Sequence, residues 1–397
     1  MRIPQSDGAG SVLDTDTHEN NTKCEGSLIL ADMLTRVYVD NFRSFVNFEF
    51  RPEQKQLLLG ANGSGKSSLL EVIRFVKYFV DDNVNHFTQS TRTRWQDQAF
   101  QVIEIDASLM GKAYTYRIEI RFAPESKQHS VHLESLRVDG VPVFELTNGE
   151  IHFYFDDGRE ATPVPFEVTQ SALRMALYSN SHVRRFVEWL RTVHCFKIDP
   201  YPEKMDERAD SEDMHPDFEL ENIAPWYRHL VQAYPEDNAL FLQALKASLN
   251  GFQALRFSSE EDGVRRLWAD FSTPGKKKVS YSLSELSDGQ RCLIGLYMIL
   301  HFAIMKGHTV FIDEPDNYVA LREIQPWLLD AAQEAEDHHG QFIVISHHPE
   351  MLNQWASAYG LNFFREKNGQ VQTERFKGDP DGVLESAEMV ARGWELV

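Results

Sequence analysis

The sequence predicts an α/β fold: a mixed, largely parallel sheet with a phosphate-binding loop at a strand tip, an antiparallel β subdomain and a helical insert. Three observations carry this expectation. Gly60-Ala61-Asn62-Gly63-Ser64-Gly65-Lys66-Ser67 fits the pattern G-x-x-x-x-G-K-[ST] without a mismatch. Two apolar runs of interior-strand length, Thr309 to Ile312 and Phe342 to Ile345, end in Asp313-Glu314-Pro315 and Ser346-His347-His348-Pro349. Alternating segments at Phe100 to Leu109, Ala113 to Phe122, Val131 to Val138 and Ile151 to Phe155 are broken by Gly111, Asp139-Gly140 and Asp156-Asp157-Gly158, the pattern of antiparallel strands.

The context of the glycine-rich loop agrees with its letters. Lys55-Gln56-Leu57-Leu58-Leu59 reads as a buried strand before it. Leu69, Leu70, Val72, Ile73, Val76 and Phe79 recur at helical spacing after it. Glycines let the backbone curl close to phosphates and aim its N–H groups inward, and the helix N-terminus adds positive potential there. The loop is therefore expected to hold ATP through Gly60, Asn62, Gly63, Ser64, Gly65, Lys66, Ser67 and Ser68. Lys66 would reach the β and γ phosphates, and the Ser67 hydroxyl would ligate Mg2+. A glycine-rich turn without a ligand is the competing reading; the agreement of strand, loop and helix argues against it.

Composition bounds the function classes. The 397 residues leave room for one large or two modest domains. A net charge of −20, from 40 basic and 60 acidic side chains, opposes coating of nucleic acid by bulk electrostatics but leaves room for a local basic groove. The 3 cysteines, Cys24, Cys195 and Cys292, form no C-x-x-C pair, so neither a disulfide framework nor a cysteine zinc site is expected. The longest apolar stretch, Cys292 to Met305, falls short of the roughly 20 residues a membrane span needs. A cytoplasmic protein is expected.

Along the chain, residues 1–26 lack periodicity and read as a flexible N-terminal arm. Residues 27–80 and 281–397 are expected to form a discontinuous ATPase core, with 81–280 inserted as the β subdomain and helices. Two strands joined at Asn41-Phe42-Arg43-Ser44 precede the loop strand. Helical periodicity is expected from about Ser171 to Glu203, followed by an acidic solvated loop to Glu221 and helices at Ile223 to Ala233 and Glu236 to Leu249. A strand pair, Ala254 to Ser258 and Arg265 to Phe271, leads to a basic turn at Gly275-Lys276-Lys277-Lys278. After Pro349 come a helix, a hairpin across Lys367-Asn368-Gly369 and a final helix.

The last third supplies the remaining chemistry. Asp313, at a strand tip, is placed to hold Mg2+, and Glu314 to take a proton from an attacking water. Leu286-Ser287-Asp288-Gly289-Gln290-Arg291 opens the apolar helix with Ser287 as a natural N-cap. Together with the downstream Asp-Glu strand, this segment resembles the signature motif of the ABC-type ATPases. That resemblance implies a head-to-tail homodimer with two composite ATP sites, possibly a higher oligomer, in which Ser287, Gly289 and Gln290 face the nucleotide of a second copy. It further implies that His347 is the switch histidine at the γ-phosphate, that Asp316-Asn317-Tyr318 crosses toward the partner, and that Gln98 or Gln101 contacts Mg2+. Arg43 would approach the phosphates. A histidine pair could instead ligate a metal, but no H-E-x-x-H or cysteine partner accompanies it.

About 220 residues separate Lys66 from Ser287, more than a transporter subunit uses. The opening Tyr38 to Phe45, the Leu-Ser-Asp-Gly signature and Ser-His-His-Pro resemble the SMC, RecF and OLD group of ATPases over Met33 to Phe79 and Ser282 to Pro349. No long heptad coiled coil of the SMC kind is read in the sequence, and with Glu350 to Val397 after Pro349 a Toprim domain of the OLD kind is not expected. The resemblance therefore implies a PtuA-like ATPase that regulates a separate nuclease or toxin effector in bacterial anti-phage defence. The alternative is a RecF-type DNA-binding repair ATPase, for which Arg184-Arg185 and Lys276 to Lys278 are the cationic elements; a transporter motor ranks behind both.

Overall fold

The computed structural model describes residues 31–82, 86–122, 129–166, 169–259, 263–273, 275–379 and 384–393. The N-terminal arm lies outside them. Two sheets dominate. The first is six-stranded, in the order β10 (Val193–Phe196), β15 (Thr309–Asp313), β16 (Gln341–Ile345), β3 (Lys55–Leu59), β17 (Gly360–Arg365), β18 (Val371–Arg375). All its pairings are parallel except the β17–β18 hairpin at one edge. Its central strands are buried on both faces, which is why they read as unbroken apolar runs. Val310, Ile312, Phe342 and Val344 enter one hydrophobic cluster, and Phe311, Ile343 and Ile345 the other.

The second sheet is eight-stranded and antiparallel: β2 (Phe48–Phe50), β1 (Met33–Asp40), β4 (Phe100–Leu109), β5 (Lys112–Phe122), β6 (His129–Val138), β7 (Val141–Thr147), β8 (Glu150–Phe153), β9 (Val164–Pro165). It confirms the alternating segments and adds β7, whose Pro142 obscured it in the sequence. It also takes in β1 and β2. Phe45, expected in a strand, sits instead in a turn bridged to Phe42. Helix α1 (Lys66–Lys77) and α2 (Ser181–Arg191) lie between the sheets and share their apolar faces with the second cluster.

The helical insert comprises α3 (Ile223–Ala233) and α4 (Pro235–Ser248). A smaller sheet flanks these helices in the chain, of β11 (Arg208–Ala209) before them and β12 (Phe252–Ser259), β13 (Arg265–Thr273) and β14 (Lys276–Ser282) after them. The basic stretch expected as a turn is therefore the start of a third strand, β14, paired with β13. On the other face of the parallel sheet pack α5 (Asp288–Phe302), α6 (Leu321–Asp337), α7 (Pro349–Tyr359) and the short α8 (Ser386–Ala391). Helix α5 is buried all round from Arg291 to Phe302, as its uniform apolarity requires.

One expectation fails locally. Helical periodicity does not run from Ser171 to Glu203: a 3-10 turn spans Leu173–Ala176, α2 ends at Arg191, and β10 follows. Thr192 closes α2 by turning its hydroxyl back to the Trp189 carbonyl. Val193 to Phe196 then pairs in parallel with β15, so an edge strand of the nucleotide-type sheet comes from the middle of the chain.

Candidate functional site

The parallel strands β10, β15, β16 and β3 end on the same side, which is where α/β sheets place ligands. The loop Gly60 to Ser67 lies there. Gly60, Gly63 and Gly65 have φ of 127°, 77° and 114°, values that L side chains rarely adopt. Packing forbids side chains at two of them: a Cβ on Gly60 would lie 2.1 Å from the Phe363 carbonyl oxygen, and one on Gly65 2.8 Å from Val371 Cγ2. Asn62 and Ser67 are exposed at the rim, Ser68 is half-buried, and Ser64 and Lys66 are buried. Ser64 Oγ is buried without a hydrogen-bond partner. The Lys66 ammonium curls back to donate to the carbonyls of Gly60 and Ala61, the latter at 3.2 Å.

Across the loop stands the tip of β15. Asp313 is 3% exposed, and its Oδ2 accepts from the Ser67 hydroxyl at 2.7 Å. That bond joins the first turn of α1 to the end of β15 across 246 residues of chain. The next residue, Glu314, has φ 51°, an uncommon conformation for a glutamate, fixed by its N–H donating to the Ile345 carbonyl at 2.8 Å. Its Oε2 accepts from Asn317 Nδ2 at 2.9 Å. Tyr318 is also left-handed, at φ 68°. The Glu314 to Tyr318 turn thus carries two strained non-glycine residues, a feature that concentrates at functional sites.

The third strand tip carries the histidines, and they diverge. His347 is exposed. His348 is buried and donates from Nε2 to the Leu321 carbonyl at 3.2 Å, at the start of α6. Among the described residues no group of three His, Cys, Asp or Glu side chains could hold a metal.

Ser287 caps α5 with a reciprocal box: its N–H donates to Gln290 Oε1 at 3.0 Å, and Gln290 N–H donates to Ser287 Oγ at 3.3 Å. Ser287 stays exposed, and Gly289 is half-buried, where a Cβ would lie only 3.0 Å from the Tyr318 carbonyl oxygen. The buried Arg291 guanidinium ties this corner together, bonding to the carbonyls of Pro200, Leu283, Ser284 and Leu286 and to Asp288.

Two expected approaches to the phosphates are otherwise engaged. Gln101 is fully buried, its amide donating to the Asn41 and Thr91 carbonyls, so it cannot serve a metal at the strand tips. Gln98 is exposed on the loop before β4, where its backbone carbonyl accepts from the Asn41 and Arg92 side chains. Arg43 pairs with Glu71 of α1. The side chain that does reach Asp313 was missed in the sequence. It is Lys197, whose Nζ lies 3.4 Å from Oδ2. Its signal was the short apolar run Val193 to Phe196 just before it, hidden by the helix periodicity assigned there.

The residues fit a nucleotide with a small divalent cation: a cradle that Cβ atoms would fill, an orphaned buried Ser64 hydroxyl inside it, and a hydroxyl and a carboxylate already in contact as hard oxygen donors. A phosphate loop, an Asp-Glu strand tip and a capped helix on a mixed α/β frame have the makings of a P-loop ATPase domain.

Comparison with known proteins agrees. The chain belongs to the family described as "AAA domain, putative AbiEii toxin, Type IV TA system", whose family model matches residues 57–353. Among solved structures, an SMC head bound to the C-winged helix domain of ScpA is similar at TM-score 0.50 and 12% identity, covering 86% of this chain and 97% of that one. The SMC head domain from Thermotoga maritima aligns at TM-score 0.43 and 16% identity, over 87% of this chain and 99% of that one. No curated protein matches. Among the described residues no helix is long and apolar enough to cross a membrane.

Proposed function

We propose that this chain binds and hydrolyses ATP as a dimeric switch, and that the switch regulates a separate nuclease or toxin effector in bacterial anti-phage defence. The observation that carries the nucleotide chemistry is the Ser67–Asp313 bond, which sets the two oxygen donors of the phosphate loop and the strand tip against each other. A cation held there would supply positive charge against the charge that develops on the phosphates. Lys66 on the phosphate loop would hold the β and γ phosphates. Ser67 and Asp313 hold the cation. Glu314 accepts the proton of the attacking water, with Asn317 orienting its carboxylate. His347, exposed at the neighbouring strand tip, faces the γ-phosphate. Ser287 and Gly289, outward at the start of α5, are offered to the nucleotide of a second copy. Gln290 supports them by holding the cap.

The defence role rests on the sequence resemblance and on the matched family's description, which names a toxin–antitoxin system. The DNA-repair reading draws less support: of its candidate cations, Arg185 pairs with Asp32 and Lys278 with Asp270, which spends their charge locally. The test is the Glu314→Gln protein supplied with ATP and Mg2+. It should retain ATP, shift to a dimer on size exclusion and co-purify with the product of the adjacent gene. If it neither retains nucleotide nor dimerises, the clamp mechanism is wrong; if it does both but holds no effector, the regulatory part fails alone.

A further inference from the structure

The position of Lys197 has a consequence for the cation site. Its place is set by backbone and does not depend on a rotamer: β10 runs parallel to β15 with Phe196 opposite Ile312, which brings Lys197 level with Asp313. Its N–H is anchored on the Phe218 carbonyl at 2.9 Å. From there the ammonium reaches Asp313 Oδ2 at 3.4 Å, the same oxygen that accepts from Ser67. The carboxylate is almost wholly buried, whereas the lysine side chain is 48% exposed at the mouth of the site. A buried carboxylate needs a compensating partner. Here that partner is a mobile cation on a four-carbon stem, able to leave without unfolding anything.

We infer that Lys197 is a built-in counter-ion of the nucleotide site, which competes with a divalent cation for Asp313 and lends its charge to the triphosphate when that cation is missing. This rests on the nucleotide reading above. With Lys66 on the phosphate loop and Lys197 beside Asp313, a triphosphate meets two positive charges without metal. A dication at Ser67 and Asp313 instead faces a like charge unless the ammonium swings out. Lys197 is thus a positioning residue that weakens the coupling between nucleotide and metal binding.

Equilibrium binding of a fluorescent ATP analogue to the full chain, in excess EDTA and in excess MgCl2, tests this. The ratio of the two dissociation constants should be small for the native protein. In Lys197→Gln it should grow roughly tenfold or more, through weaker binding in EDTA, while the Mg2+ concentration that half-saturates the complex falls. Lys197→Arg, which keeps the charge, should restore the native ratio and so separates this role from packing. An unchanged ratio in Lys197→Gln overturns the inference and leaves nucleotide binding standing. If the native protein binds no analogue under either condition, the nucleotide reading falls and the inference with it.

Discussion

Glu314 sits in a left-handed conformation that costs of order 1–3 kcal/mol. The strain is held by its N–H on the Ile345 carbonyl and by Asn317 donating to the carboxylate. Removing the second clamp frees the carboxylate to rotate without touching the phosphate loop. Asn317→Ala should therefore lower ATP turnover roughly 10- to 100-fold, the range that loss of orientation produces, with nucleotide affinity unchanged. Single-turnover rates beside equilibrium binding would show it; full turnover in the variant would remove Asn317 from the site. At this scale the sequence was legible where geometry forces residue type, as at Gly60 and Gly65. The Glu314 backbone was hidden, because nothing in the letters Asp-Glu-Pro announces a positive φ.

Among elements, α5 joins the signature corner to the core, and its cost is polar. His301 lies on its last turn, buried, with its ring 6.0 Å from that of Phe241. Burial pulls its pKa down from 6.5 to about 4, with Asp237 acting weakly against this and Lys306 with it. The folded state therefore takes up the proton later than the unfolded chain does. Stability contributed by neutral His301 is complete above pH 6.5 and is lost as the pH falls toward 4, by about 3 kcal/mol at most. His308, also lowered to about 4 by burial, adds to the slope in the same direction. His301→Phe should flatten the fall of melting temperature between neutral and mildly acidic pH; an unaltered slope would assign the acid sensitivity elsewhere. Helix α3 was readable from its period, whereas α6, the longest helix at 17 residues, was not read from the sequence at all. Strand β10 was not readable either, since four residues carry no period, and what makes it a strand is β15 beside it.

For the whole molecule, the question is what makes two sheets of different kinds a single body. Local pattern showed a parallel sheet and an antiparallel one, but not their junction, because its bonds join residues about 300 apart. The junction is Gln341, fully buried at the start of β16 in the parallel sheet. Its Oε1 accepts from the Leu34 N–H of β1 at 2.7 Å and from the Thr309 hydroxyl at 3.0 Å, and its Nε2 donates to the Leu34 carbonyl at 3.0 Å. One side-chain amide thus completes the backbone pairing of a residue in the other sheet. Gln341→Leu keeps the volume but strands a buried N–H, a carbonyl and a hydroxyl, each of which costs roughly 1–3 kcal/mol when left unmade. Partial relaxation makes the expected loss about 3 kcal/mol, with a single unfolding transition, because α1 and α2 still seal the apolar layer between the sheets. Urea unfolding followed by tryptophan fluorescence and by far-ultraviolet dichroism would measure both. A loss below about 0.5 kcal/mol would show that the sheets are held by apolar packing alone. Two separated transitions would mean that Gln341 is what couples them.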